Sequence, residues 1–158
     1  MKKTTWKSYA FRILLTEAVG TLSGWLTANA AKLYTETILR PPLSPPGIVF
    51  PIVWSILFAL MGIGAARISS APASAARSRS LRLFWLQLAL NFCWSLIFFR
   101  LQAYGPAFIW LLLLWFLILR MIMSFRKVDP LAAALQIPYL LWVSFAAYLN
   151  FGVWMLNP

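Results

Sequence analysis

The 158-residue chain has no histidine, a single cysteine and only three acidic residues, Glu17, Glu36 and Asp129. The missing histidines remove the commonest general base, metal ligand and haem axial ligand together. One cysteine, Cys93, excludes an internal disulfide and any cysteine-cluster metal site, so no metal is expected. Charged residues amount to 11% of the chain, far below what a soluble domain carries. No catalytic residue suggests itself from these counts.

What is present is apolar. Hydrophobic residues make up 62% and aromatic residues 16% of the chain, and the mean hydropathy is +0.79. The net charge is +11. In a soluble protein this would suggest nucleic acid, but here the cations flank apolar runs. The expected partner is therefore an anionic lipid bilayer, not nucleic acid.

Five apolar stretches, near 9–31, 46–68, 81–101, 106–125 and 130–153, are each long enough to span a bilayer, which takes about 20 helical residues. Pro46, Pro106 and Pro130 read as helix starts, where a missing N–H goes unnoticed, and Asp129 reads as the cap before Pro130. Ser69–Ser80, small, polar and basic, reads as a flexible loop. The fold class expected is an all-α integral membrane protein: one domain over 1–158, a five-transmembrane-helix bundle with a long Pro-rich loop between helices 1 and 2. A basic start followed by Ala28-Asn29-Ala30 mimics a cleaved signal peptide. Glu17 interrupts that apolar core, so the first helix is expected to stay.

Lys2, Lys3, Lys7, Arg12, Arg67, Arg77, Arg79, Arg82, Arg120, Arg126 and Lys127 fall on one side of this topology, with Lys32, Arg40 and Arg100 on the other. The positive-inside rule then puts the N-terminus in the cytoplasm if the membrane is an inner, bacterial one. The run from Leu33 to Trp54, with five prolines, falls on the opposite side.

Polar residues at membrane depth are the functional candidates, because burying them without partners is costly. In helix 3, Gln87, Asn91, Trp94, Ser95 and Phe98 share one face. In helix 5, Gln136, Tyr139, Trp142, Ala146 and Asn150 form a comparable stripe, and Pro138 should kink that helix. Trp54 and Phe58 lie one turn apart in helix 2. These stripes suit a flat apolar ligand, or simply join helices through amide hydrogen bonds. Glu17 could pair with Arg12 or take part in proton-coupled transport. Gly20-x-x-x-Gly24 gives helix 1 a face for close packing. Trp6, Trp25, Trp85 and Trp154 read as interfacial residues.

Four motifs make the chain resemble the translocator protein family, also called tryptophan-rich sensory proteins or peripheral benzodiazepine receptors. They are Arg40-Pro41-x-x-x-Pro45-Pro46 leading to Phe50-Pro51-x-Val53-Trp54; Met61-Gly62; Leu90-Asn91-x-x-Trp94-Ser95-x-x-Phe98-Phe99; and Pro138-Tyr139-Leu140-x-Trp142-x-x-Phe145-Ala146-x-x-Leu149-Asn150. The resemblance implies a five-helix bundle, often dimeric, with a ligand pocket beneath the first loop. It implies binding of porphyrins such as protoporphyrin IX, of sterols in animals, and of benzodiazepine-site drugs. Trp54, Asn91, Trp94, Trp142, Phe145, Ala146 and Leu149 are carried to the pocket, with Arg40 and Pro45 from the lid and Tyr139 and Asn150 from the helix 5 motif.

Two departures limit the likeness. Leu43 stands where the family usually has a tryptophan, and the loop opens on Tyr34-Thr35 without one. The basic residue that ends the animal sterol pattern is also missing, so sterol binding is not expected. The function expected is binding of a metal-free tetrapyrrole, for transport, sequestration or sensing, with no cofactor required and Arg40 answering its propionates. Alternatives are light-dependent porphyrin degradation using pocket tryptophans, and a regulator whose ligand shifts a homodimer equilibrium.

Overall fold

Proline, alanine and serine set the limits of the helices. The computed structural model describes residues 5–158, and every regular element among them is helical. Lys2 and Lys3, two of the N-terminal cations, lie outside the described residues. The elements are α1 (Trp6–Thr37), α2 (Val49–Ser70), α3 (Ala75–Ser95) running into a π-turn (Leu96–Arg100), α4 (Tyr104–Arg126), a short α5 (Pro130–Ala134) and α6 (Ile137–Leu156). The expected order of five hydrophobic helices holds, with α5 and α6 together forming the fifth.

Several boundaries differ from expectation, for local reasons. No helix breaker occurs between residue 31 and Pro41, so α1 continues to Thr37. α2 begins at Val49, not Pro46; its first-turn proline is Pro51, and Val49 N donates to Pro46 O at 3.0 Å. The stretch 69–80 is mostly helix, because alanine and arginine are strong helix formers. Only residues 71–74 stay open there, and Ser74 caps α3 by accepting from Arg77 N at 3.1 Å. Asp129 caps α5 as expected, accepting from Leu131 N at 3.0 Å and Ala132 N at 3.1 Å. Pro138 leaves Ala134 without the amide that would continue the ladder, and the chain breaks at Leu135–Gln136. Each departure traces to residues within one turn of it.

α2, α3 with its π-turn, α4, and α5–α6 are long and apolar enough to cross a membrane. The expected five spans thus become four by length and composition. α1, at 32 residues, is long enough at about 48 Å, but Thr16, Glu17, Thr21, Ser23, Thr27 and Asn29 dilute its apolar character. On α4, Leu111, Leu114, Ile118, Met121 and Phe125 are buried, whereas Ile109, Leu113, Phe116 and Met123 are exposed at helical spacing. Such an exposed apolar face suits lipid rather than water. This is a multi-pass membrane protein.

α1 packs along α2, and α4 packs against both α3 and α6. Thr16 Oγ1 donates to Phe58 O at 2.7 Å, tying α1 to α2, and the hydroxyls of Ser80 and Ser124 tie α3 to α4 at 2.8 Å. Arg67 and Asp129 form the one ion pair among the described residues, at 2.8 Å between α2 and the start of α5. Arg12 lies over the Trp85 ring, 5.8 Å from its centroid, at this same cationic end. At the other end, residues 38–44 are strapped to α6. Pro41 lies so close to Gly152 that a Cβ there would come within 2.5 Å of it. Tyr148 Oη donates to Pro42 O at 2.7 Å, and Asn157 bonds the N–H and C=O of Leu39 at 3.1 and 2.8 Å.

Candidate functional site

Four helices leave a cavity of about 720 Å³ between them, lined by faces of α1, α2, α3 with its π-turn, and α6. The volume lies in the usual range for small-molecule sites, roughly 300–1,000 Å³. α3 presents Asn91, Trp94 and Ser95, and the π-turn adds Phe98 and Phe99. A π-turn inserts a residue into the helical ladder and widens it locally, here closed by Leu101 N to Leu96 O at 3.0 Å. The adjacent Phe98 and Phe99 rings both reach the cavity. α2 contributes Phe50, Pro51, Trp54, Ser55 and Phe58, and α6 contributes Trp142, Ala146, Leu149 and Asn150. Thr21, Gly24, Pro51 and Ser55 line the cavity yet are exposed, so it opens along the α1–α2 seam.

Aromatic contacts hold the walls. Trp94 stacks on Phe98 with centroids 5.4 Å apart, Trp54 lies 5.6 Å from Phe58, and Trp142 meets Phe50 edge-on at 6.0 Å. The amides are fixed from behind. Tyr139 Oη donates to Gln87 Oε1 at 2.7 Å and accepts from Asn91 Nδ2 at 2.7 Å, while Gln87 Nε2 lies 3.8 Å from Met61 Sδ. This leaves Asn91 Oδ1, at the cavity wall, without a partner among the described residues. Trp94 Nε1 donates to Asn150 Oδ1 at 3.1 Å, and Asn150 Nδ2 donates to Tyr104 O at 2.8 Å. In a membrane interior such a network fixes rotamers, since the alternative is an unpaired polar group.

The residues expected at a binding site divide into two sets. Trp54, Asn91, Trp94, Trp142, Ala146, Leu149 and Asn150 line the cavity. Arg40, Pro45, Tyr139 and Phe145 do not. Tyr139 sits behind Asn91, fully buried, and orients it. Phe145 backs Trp142, with centroids 5.6 Å apart. Arg40 is exposed on the connecting segment, and Pro45 is half-buried there. Leu43, 83% exposed, is not part of the lining either and takes a left-handed φ of 66°.

α1 is the wall that the motifs missed. Glu17, Gly20, Gly24, Thr27, Ala31 and Thr35 recur every three or four residues along it, and Thr21, Ser23, Lys32 and Tyr34 join them. That spacing of small and polar residues was the available signal. Glu17 does not pair with Arg12; its Oε2 accepts from Ser55 Oγ at 3.2 Å. A Cβ on Gly20 would lie 2.4 Å from the Phe58 ring, whereas Gly24 has nothing within 4 Å. The expected glycine face therefore packs at one residue and faces open space at the other. Ser23 and Ser95 hydroxyls bond across the cavity between α1 and α3.

The sequence has relatives among known proteins. A sequence model of the TspO/MBR family matches residues 12–155. The chain is 38% identical to the tryptophan-rich protein TspO of Chlorobaculum tepidum, over 89% of this chain and 90% of that protein. It is 36% identical to the translocator protein of Ovis aries, over 77% of this chain and 73% of that protein. It is 30% identical to a tryptophan-rich sensory protein of Cereibacter sphaeroides, over 77% and 75% respectively.

Proposed function

We propose that this chain, which belongs to the TspO/MBR family, binds a planar apolar ligand of the tetrapyrrole class, such as protoporphyrin IX, in the α1–α2–α3–α6 cavity. The observation that carries the reading is the conjunction of three indole walls with a free amide acceptor. Trp54, Trp94 and Trp142 all line the cavity and offer flat apolar faces. Asn91 Oδ1, set in place by the bond from Asn91 Nδ2 to Tyr139 Oη and itself unpartnered among the described residues, is placed to accept from a pyrrole N–H. No histidine exists to ligate a central metal, which favours the metal-free macrocycle. The names of the relatives, translocator and sensory protein, support transport or sensing as the use of such binding. In this reading residues 38–48 form the lid, α1 is a fifth span with the N-terminus cytoplasmic, and a homodimer is the working assembly.

The test is a titration of the purified protein with protoporphyrin IX, followed by tryptophan fluorescence in the dark. Saturable quenching is expected, and its absence would falsify the reading. Light-dependent degradation is a second reading, favoured by the same three tryptophans facing one cavity. Illumination of the complex separates the two: porphyrin absorbance that bleaches no faster than in a Trp94→Phe, Trp142→Phe control leaves binding alone.

The same titration settles the weight of Leu43. Because its side chain is 83% exposed and outside the cavity, Leu43→Trp should change the porphyrin Kd by no more than about twofold, as surface substitutions do. A much larger gain in affinity would show that this position reaches the ligand.

A further inference from the structure

The cavity lining carries two formal charges, and they stand at opposite ends of the α1 face. Glu17 and Lys32 both line it, and their fifteen-residue separation places them about 22 Å apart along the helix. Glu17 lies half-buried toward one end, beside the exposed Ser55, whose Oγ donates to it at 3.2 Å. Lys32 lies near the end of α1 that leads into residues 38–48. Its ammonium makes no ion pair, since the only such pair among the described residues joins Arg67 to Asp129. Glu36, one turn further along α1, does not approach within pairing distance either. Arg40, the cation that the sequence offered for an anionic ligand, is not part of the lining.

We infer that Lys32 is the anion-binding group of this cavity, and that Glu17 keeps anionic groups away from the opposite end. The inference rests on the cavity reading above and deepens it. A ligand with carboxylates on one edge then enters in one orientation, with its acidic edge toward residues 38–48 and its apolar edge toward Phe58. The physical basis is asymmetry. A lysine ammonium on a flexible stem offers three donors and reaches a carboxylate without demanding bidentate geometry. Charge-assisted bonds of this kind are about twice as strong as neutral ones. Glu17 acts by like-charge repulsion, which falls with distance and so is felt at its own end of the cavity. The ligand class is therefore a planar amphiphile with its acids on one side, rather than a neutral disc or a molecule charged all round.

The experiment compares protoporphyrin IX with its dimethyl ester, which keeps the macrocycle and loses both charges. Each is titrated by tryptophan quenching into the detergent-solubilised parent, Lys32→Gln, Lys32→Arg and Glu17→Gln. Lys32→Gln should weaken the free acid about fivefold and change the ester by less than about twofold. Lys32→Arg should bind the acid nearly as the parent does. Glu17→Gln should bind the acid as tightly as the parent or more so. Equal acid affinity in the parent and Lys32→Gln overturns the inference while leaving the cavity reading standing. Equal losses for acid and ester in Lys32→Gln overturn it too, because the lysine then acts on shape rather than charge. Failure of both porphyrins to quench the parent removes the cavity reading and the inference together.

Discussion

Ala146→Phe is expected to abolish high-affinity porphyrin binding while leaving the helical bundle intact. Ala146 lies on α6 one turn beyond Trp142 and one turn before Leu149 and Asn150, and all four line the cavity. A phenyl ring there projects into space that a planar ligand needs, between the Trp142 and Trp94 walls. Forcing extra carbons into an occupied site costs roughly 1–3 kcal/mol. At about 2–3 kcal/mol the Kd would rise roughly 30- to 150-fold. The fold should survive, because the empty cavity accepts the ring and the core side of α6 is carried by Tyr139, Val143 and Val153, all buried. Tryptophan quenching measures the affinity, and thermal loss of helical circular dichroism in detergent checks the fold. Parent-like binding by a folded variant would place the ligand elsewhere.

The largest effect on stability is expected at Gly62. A Cβ built there would lie 2.6 Å from Ile13 Cα, 2.8 Å from Ile13 N and 2.9 Å from Arg12 O. These are backbone atoms, so no rotamer change relieves the contact, and α1 must move away from α2. The bond from Thr16 Oγ1 to Phe58 O, one turn along the same seam, would be strained with it. We expect Gly62→Ala to cost about 2 kcal/mol and Gly62→Val about 3 kcal/mol or more, read as lowered thermal unfolding midpoints in detergent. Because α1 and α2 are two walls of the cavity, porphyrin affinity should fall as well. Gly24→Ala is the contrasting case. Nothing lies within 4 Å of a Cβ at Gly24, so the change should be neutral or stabilising by up to about 1 kcal/mol through helix propensity. Similar losses at both glycines would contradict the α1–α2 packing.

The glycines of α1 and α2 show where sequence reading stops. Gly20, Gly24 and Gly62 look alike in a string of letters, yet Gly20 meets a phenylalanine ring, Gly62 meets the backbone, and Gly24 meets open space. The stripes on helices 3 and 5 were legible because a period of 3.6 residues fixes which side chains share a face. Their division into cavity wall and backing layer was not. Tyr139 and Asn91 belong to neighbouring helices, and only their 2.7 Å bond shows that one orients the other. Arg40 looked like the ligand's cation because it is the cation nearest the expected pocket in the sequence. The chain strapped to α6 by Tyr148, Asn157 and Gly152 leaves Arg40 exposed outside the cavity. Lys32 drew no attention because nothing local distinguishes a lysine at the end of a helix.

By itself the sequence determined the solvent, the all-helical class and the family. Long apolar runs cannot remain in water, prolines cannot donate, and the family's sequence model matches residues 12–155. It also settled what is absent, since a chain without histidine cannot supply imidazole chemistry in any fold. The tertiary structure decided which face of α1 lines the cavity, that the cavity opens along the α1–α2 seam, and where its two charges stand. Those are properties of helices brought together from distant parts of the chain. Periodicity within one helix says which residues share a face, but not what that face meets.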